Sequence, residues 1–253
     1  MRRIITKRSI AFVILFGFVI LTCCGFNTEL QVANVYFNNK TKKLPIYSVQ
    51  TDEKVVAISF DAAWGADKTS EIMSICQDFG VKATFFLVGF WVQDYPEVAQ
   101  SIAQNNFEIG LHSSTHPDMT KLSASQIELE LSKNQQIIQT VCGTGAKLFR
   151  PPFGAYNNTL IEKCEQMNIT PIQWSVDSLD WKGLSASEIA GRVCGKSTNG
   201  SIVLFHNNSD NIIPALRLVL EYYKNNNYKV VPVGELIYYE HYTINQQGVQ
   251  IKK

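Results

Sequence analysis

Four histidines are spread over 253 residues, and three of them sit where short apolar runs end. Phe107-Glu108-Ile109-Gly110-Leu111 leads into His112, with His116 four positions on, and Ser201-Ile202-Val203-Leu204-Phe205 leads into His206. Asp61 follows Val55 to Phe60, Arg150 follows Lys147-Leu148-Phe149, and Asp177 and Asp180 follow the run from Thr170 to Val176. Any one of these polar residues alone reads as a capping or solvated group. Five strand-like runs that each deliver a titratable or cationic side chain read as a site. Spaced four apart, His112 and His116 would project to one side of a helical turn and grip one metal ion, with Asp61 and His206 at hand. The fourth histidine, His241, lies in a polar stretch and carries no such context.

The elements that must position these residues follow from the apolar pattern. Strand-like runs at Val55–Phe60, Ala83–Val88, Phe107–Leu111, Lys147–Phe149, Thr170–Val176, Ser201–Phe205 and Tyr228–Val231 alternate with helical patterns at Thr69–Phe79, Pro96–Asn105, Ser123–Val141, Asn158–Met167, Ser185–Cys194 and Ile212–Asn225. Ser123 with Gln126 has the form of a capping box, and Gly80 and Gly110 mark turns. Alternation of this kind implies an α/β fold with a parallel sheet and outer helices. Seven strands predict a distorted (β/α)7 barrel-like domain, with an open doubly wound sheet as the alternative.

The sequence divides into four parts: residues 1–26, 27–52, 53–240 and 241–253. In the first, Arg2, Arg3, Lys7 and Arg8 precede an uncharged apolar run from Ile10 to Phe26, the pattern of a signal peptide or membrane anchor. Cys23 and Cys24 after Leu21-Thr22 loosely resemble a lipoprotein cleavage site. Residues 27–52 read as a polar tether, residues 53–240 as the catalytic body and residues 241–253 as a loose polar tail. The other cysteines, Cys76, Cys142, Cys164 and Cys194, are scattered singly and read as buried thiols rather than a zinc cage. A formal net charge of +1 argues against a nucleic-acid binder. The expectation is an exported, monomeric protein that meets the membrane through its N-terminal segment.

Five motifs, in order, give the body a family resemblance: Ser59-Phe60-Asp61, His112-Ser113-Ser114-Thr115-His116-Pro117, Arg150-Pro151-Pro152-Phe153-Gly154, Asp177-Ser178-Leu179-Asp180-Trp181 and Leu204-Phe205-His206. The set resembles the polysaccharide deacetylases of carbohydrate esterase family four, over roughly Val55 to Glu240. The resemblance implies a divalent metal, zinc with cobalt or manganese as substitutes, held by His112 and His116 and polarising an acetamide carbonyl. It implies Asp61 as general base, His206 as general acid, Asp177 keeping His206 cationic, and Arg150 orienting Asp61. The backbone N–H of Phe153 would face the oxyanion, Trp181 and Leu204 would wall the acetyl pocket, and Tyr156 and Trp64 would offer a sugar platform. One departure stands out: the family carries a second aspartate after Asp61, and here that position is Ala62. The metal is then left with two protein ligands, with water or Asp67 to fill in. The same absence resembles the sporulation-type branch, which implies a peptidoglycan substrate. The alternative is a non-catalytic wall-binding protein on the same barrel.

Overall fold

The computed structural model describes residues 42–253, and the account below concerns the compact unit from Lys43 to Lys253. The expected signal or anchor segment, Cys23, Cys24 and residues 27–41 of the tether lie outside the described residues. Among the described residues, no helix is long and apolar enough to cross a membrane. The strands are β1 (Ser48–Val49), β2 (Val55–Ala62), β3 (Thr84–Leu87), β4 (Glu108–Leu111), β5 (Leu148–Phe149), β6 (Thr170–Pro171), β7 (Val176–Asp177), β8 (Ser201–His206), β9 (Lys229–Val231), β10 (Tyr242–Ile244) and β11 (Val249–Lys252).

Strand β2 is the keel. All eight of its residues are buried, as expected of a central parallel strand covered on both faces. Val56, Ile58 and Phe60 enter the outer core beneath the helices, while Val55 and Ala57 enter the inner one. The period-two alternation then sends Ser59 and Asp61 inward. Phe60 stacks between Phe85 and Phe205 at centroid distances of 5.0 and 5.6 Å, which locks β2 to its two neighbours.

The sheet runs β6-β5-β4-β3-β2-β8, with β7 on the far side of β8, and these pairings are parallel. Strands β2 to β6 follow one another without a reversal, so there is no switch point of the open doubly wound kind. Segment 170–177 supplies both ends of this path, and the layout is a distorted barrel. The run expected as one strand, Thr170–Val176, is therefore two. The break falls at Gln173 to Ser175, where the chain crosses the seam.

The seam is filled by residues expected to be a tether. Ile46 bridges Ile172, its N–H donating to Pro171 O at 3.0 Å and its own carbonyl accepting from Gln173 N–H at 2.7 Å. Ser48 then pairs antiparallel with Ser201 of β8. The expected tail is likewise structural: β10 and β11 form a hairpin, and β11 pairs with β1. These strands are short and polar on their outer side, so they lack the apolar run that marks a central strand.

Gly110 sits inside β4 rather than at a turn. A Cβ there would lie 2.4 Å from the ring of Phe86, so only glycine lets that ring lie flat across β4. Gly80, with φ of +67°, does mark a turn. The helices fall where the 3.6-residue pattern puts them, at Thr69–Asp78, Pro96–Gln104, Ala124–Cys142, Asn158–Gln166, Ala186–Lys196 and Ile212–Asn225. A further short helix, Gly89–Asp94, follows β3 directly. Ser123 and Gln126 form the expected capping box, and Ser185 with Glu188 forms a second. The four cysteines from Cys76 onward are free thiols, Cys76 and Cys164 buried and Cys142 and Cys194 half-buried.

Candidate active site

The ladder between β2 and β8 sets Asp61 directly opposite His206. Both lie where their strands end, on the same rim. Asp61 is buried, and its Oδ1 accepts from Arg150 Nη1 at 2.8 Å while its Oδ2 lies 3.5 Å from His112 Nε2. Burial alone would raise the carboxyl pKa. The charge of Arg150, helped by His206 and by the hydrogen bond from Arg150, outweighs burial and holds Asp61 below the ordinary carboxylate range. Asp61 is thus an ionised carboxylate in a dry place.

Arg150 is itself fully buried. Its Nη2 donates to Gln173 O at 3.1 Å, and its guanidinium lies 4.2 Å over the ring of Phe86. The glycine at position 110 therefore has a chemical consequence two contacts away: it seats the ring on which Asp61's cation rests.

His206 takes a partner other than the expected one. Its Nδ1 lies 2.8 Å from Asp180 Oδ1, and its backbone N–H donates to Asp180 Oδ2 at 2.8 Å. Asp177, expected in that role, instead accepts the N–H of Leu179 at 2.9 Å. Leu179 has φ of +55°, and this tight turn brings Asp180 rather than Asp177 against the imidazole. Burial works against a charged His206. The hydrogen bond and charge of Asp180 then raise its pKa, with smaller help from Asp61 and Asp177, and the net direction is upward. The motif marked both aspartates; only the left-handed leucine distinguishes them.

His112 and His116 lie together, but not on a helical turn. The segment after β4 is a loop with two non-glycine residues in the left-handed region, Ser113 at φ +68° and His116 at φ +58°. The two rings meet edge to face with centroids 5.0 Å apart. His112 Nδ1 lies 2.7 Å from Arg150 O, which fixes Nδ1 as the protonated nitrogen and leaves the Nε2 lone pair free. Burial lowers both pKa values, that of His116 to about 4 with the nearby His112 adding to the effect. Both rings are therefore neutral at neutral pH, the form in which imidazole binds metal.

In donor type and tautomer, then, the pair fits a divalent cation, but as a two-imidazole site. Ala62 is fully buried, its methyl packed in the outer core, and offers no donor. Asp67 is exposed. Among the described residues no group of three or more histidine, cysteine, aspartate or glutamate side chains could hold a metal, so Asp67 does not complete the pair.

The remaining expected residues frame this centre. Phe153 has φ of +60° in the short turn Pro152–Gly154 and is 70% exposed, with its ring 4.8 Å from that of His116. The ring of Trp64 also meets that of His116, at 4.9 Å, and is 57% exposed. Trp181 is 60% exposed beside Lys182, whereas Leu204 is buried in β8. Tyr156 is half-buried against the outer core, its hydroxyl 3.2 Å from that of Tyr47. Sequence reasoning missed Gln173, whose Nε2 donates to Gly154 O at 2.8 Å and so holds the turn bearing Phe153. It also missed Glu130 and Asn134, both on the helix Ala124–Cys142. Their distance from any strand end leaves no local signal.

A family model described as polysaccharide deacetylase matches residues 48–172. An uncharacterized protein of Bacillus subtilis is 36% identical over 76% of this chain and 60% of its own length. A peptidoglycan-N-acetylglucosamine deacetylase of Bacillus cereus is 32% identical over 64% of this chain and 63% of its own. The chain thus spans somewhat less than two thirds of these relatives. Among solved structures, a CE4 family pseudoenzyme from Bacillus anthracis superposes with a TM-score of 0.74 at 33% identity, over 76% of this chain and 68% of that one. A mutant of that protein with restored enzymatic activity superposes equally well, at 34% identity, over 76% of this chain and 70% of that one. The chain belongs to the polysaccharide deacetylase family.

Proposed function

We propose that the domain removes N-acetyl groups from an amino sugar of bacterial peptidoglycan. One observation carries this reading: an ionised carboxylate and an imidazole of raised pKa face each other across one strand pair, each with its own buried partner. A base and an acid of opposite protonation are what amide hydrolysis needs.

Asp61 accepts a proton from the water that adds to the acetyl carbonyl. The N–H of Phe153 donates to the oxygen that gains charge as the carbon becomes tetrahedral. His206 delivers its proton to the sugar nitrogen as the C–N bond breaks, which releases acetate and leaves a free amine. Asp180 keeps His206 charged before that step, and Arg150 keeps Asp61 ionised. A divalent cation, zinc by donor type with cobalt or manganese as substitutes, would be held by His112 and His116 and would polarise the carbonyl. The exposed rings of Trp64, Phe153 and Trp181 suit the faces of sugar units on either side.

The glycan substrate is supported by the named activities of the relatives. Export, by contrast, rests on the basic and apolar residues of segment 1–26. A link to sporulation rests on the Ala62 departure alone. We take the protein as a monomer tethered at or beyond the membrane.

Ala62 favours a second reading, in which the barrel binds peptidoglycan without turnover. Acetate release from purified peptidoglycan by the full chain, with and without zinc, separates the two. Zinc-dependent release that Asp61→Asn abolishes supports the enzyme. Silence in the native chain, with release gained by Ala62→Asp, supports the binding protein.

A further inference from the structure

The loop carrying the histidine pair is held from two sides, and one of them is a helix face that no motif marks. Its carbonyls are taken by the start of the helix Gly89–Asp94: Gly89 N–H donates to Ser113 O at 3.0 Å and Phe90 N–H to Ser114 O at 3.2 Å. A Cβ at position 89 would lie 3.0 Å from Ser114, so glycine allows this close approach. The loop's amides turn the other way. Glu130 Oε2 accepts from Ser114 N–H and from Thr115 N–H, both at 2.9 Å, and Oε1 accepts from the Thr115 hydroxyl at 2.8 Å. One helical turn further on, Asn134 is fully buried. Its Oδ1 accepts from His112 N–H at 3.0 Å, a hydrogen shared with Leu87 O at 3.1 Å, and its Nδ2 donates to the same Leu87 O at 3.2 Å.

We propose that Glu130 and Asn134 are positioning residues for the two histidines: a pair one turn apart on the helix Ala124–Cys142 that sets the loop from His112 to His116 in the conformation the metal requires. Left-handed backbone at Ser113 and His116 is sparsely populated for residues with a side chain, and it persists only where its surroundings over-determine it. Glu130 and Asn134 supply that constraint on the amide side, since together they bind three N–H groups of the loop. The device matters more here than in a three-ligand site. With two imidazoles and no carboxylate at position 62, the donors are aligned by this bracing of the loop together with the hold of Arg150 O on the His112 ring.

The inference rests on His112 and His116 as the metal pair, and its test does not require turnover. The probe is the set of histidine-ring 1H–15N signals of the metal-free full chain, followed by titration with Co2+. Four histidines are few enough to resolve. In Glu130→Ala the ring signals of His112 and His116 shift or broaden while that of His241 holds, and Co2+ affinity falls about ten-fold, the usual effect of losing a group that orients a ligand. Glu130→Gln restores both. Its single carbonyl oxygen can take the two backbone N–H groups while its amide faces the Thr115 hydroxyl, which then accepts instead of donating. Unmoved ring signals in Glu130→Ala overturn the proposal. So does a Glu130→Gln chain that behaves like the alanine variant, because charge rather than hydrogen-bond geometry would then be responsible. If Glu130→Ala fails to fold, Thr115→Val, which removes one bond of the set, shows the same shift in smaller measure or overturns the idea by showing none. A chain that binds peptidoglycan without releasing acetate leaves the ring signals fully informative.

Discussion

At the scale of single residues, Asp180 is the side chain to change first. Asp180→Asn keeps an acceptor for the backbone N–H of His206 but removes the charge that raises its pKa. The acid is needed protonated, so activity is lost as pH rises through the His206 pKa. The alkaline limb of the kcat profile moves to lower pH in the variant, with kcat at neutral pH down by roughly 100-fold, as for loss of a general acid. Stability follows the same sign. A raised pKa in the folded state contributes fully below the ordinary value of 6.5, and the contribution is lost as pH rises through the folded one. Asp177→Asn, which can still accept from Leu179 N–H, leaves the limb nearly in place. Ala62→Asp makes a second residue-scale prediction. It puts a carboxylate where a fully buried methyl now packs, so the metal-free variant unfolds several degrees lower, and zinc restores more of the loss than it gives the native chain. Differential scanning calorimetry with chelator and with zinc reads both. These residues were legible because each follows an apolar run. The choice between Asp177 and Asp180 was not, because a single left-handed leucine decides it.

At the scale of elements, the central strands announced themselves and the seam did not. Val55 to Ala62 is buried throughout because both of its faces are covered, and its apolar start, Val55 to Ile58, leads into Ser59 and Asp61 only near the rim. Segment 170–177 reads as one strand by composition yet is two, since its break depends on what Ile46 and β8 offer across the seam rather than on its own residues. Gly110 was legible as a special position and misread as a turn. Gly110→Ala drives a methyl into Phe86 and, through that ring, into Arg150. Overpacking of this kind costs roughly 1–3 kcal/mol. Urea unfolding measures that loss, and a weakened hold on Asp61 appears beside it as reduced kcat with unchanged KM.

At the scale of the whole molecule, the described chain uses its outermost stretches as structure. Residues 241–253 read as polar tail in the sequence, but Gln250 is buried and its side chain both donates to Tyr238 O and accepts from Tyr238 N–H. A chain ending at Glu240 loses both hairpin strands and leaves those groups without partners. It is expected to unfold several degrees lower by circular dichroism, at roughly 2–4 °C per kcal/mol for a domain of this size. An unchanged midpoint would return these residues to the role of a tail. Polar edge strands escape sequence reading because their pairing is made by backbone, which every sequence has.

The register between β2 and β8 has one more implication. Because Asp61 and His206 are neighbours in a hydrogen-bonded ladder, their spacing is inherited from the backbone and owes nothing to the loops. Position 62 lies one residue past that ladder and pairs with Leu87 of β3, so the register that sets acid against base does not pass through it. A substitution there changes which donors a cation meets and leaves the pairing of Asp61 with His206 in place.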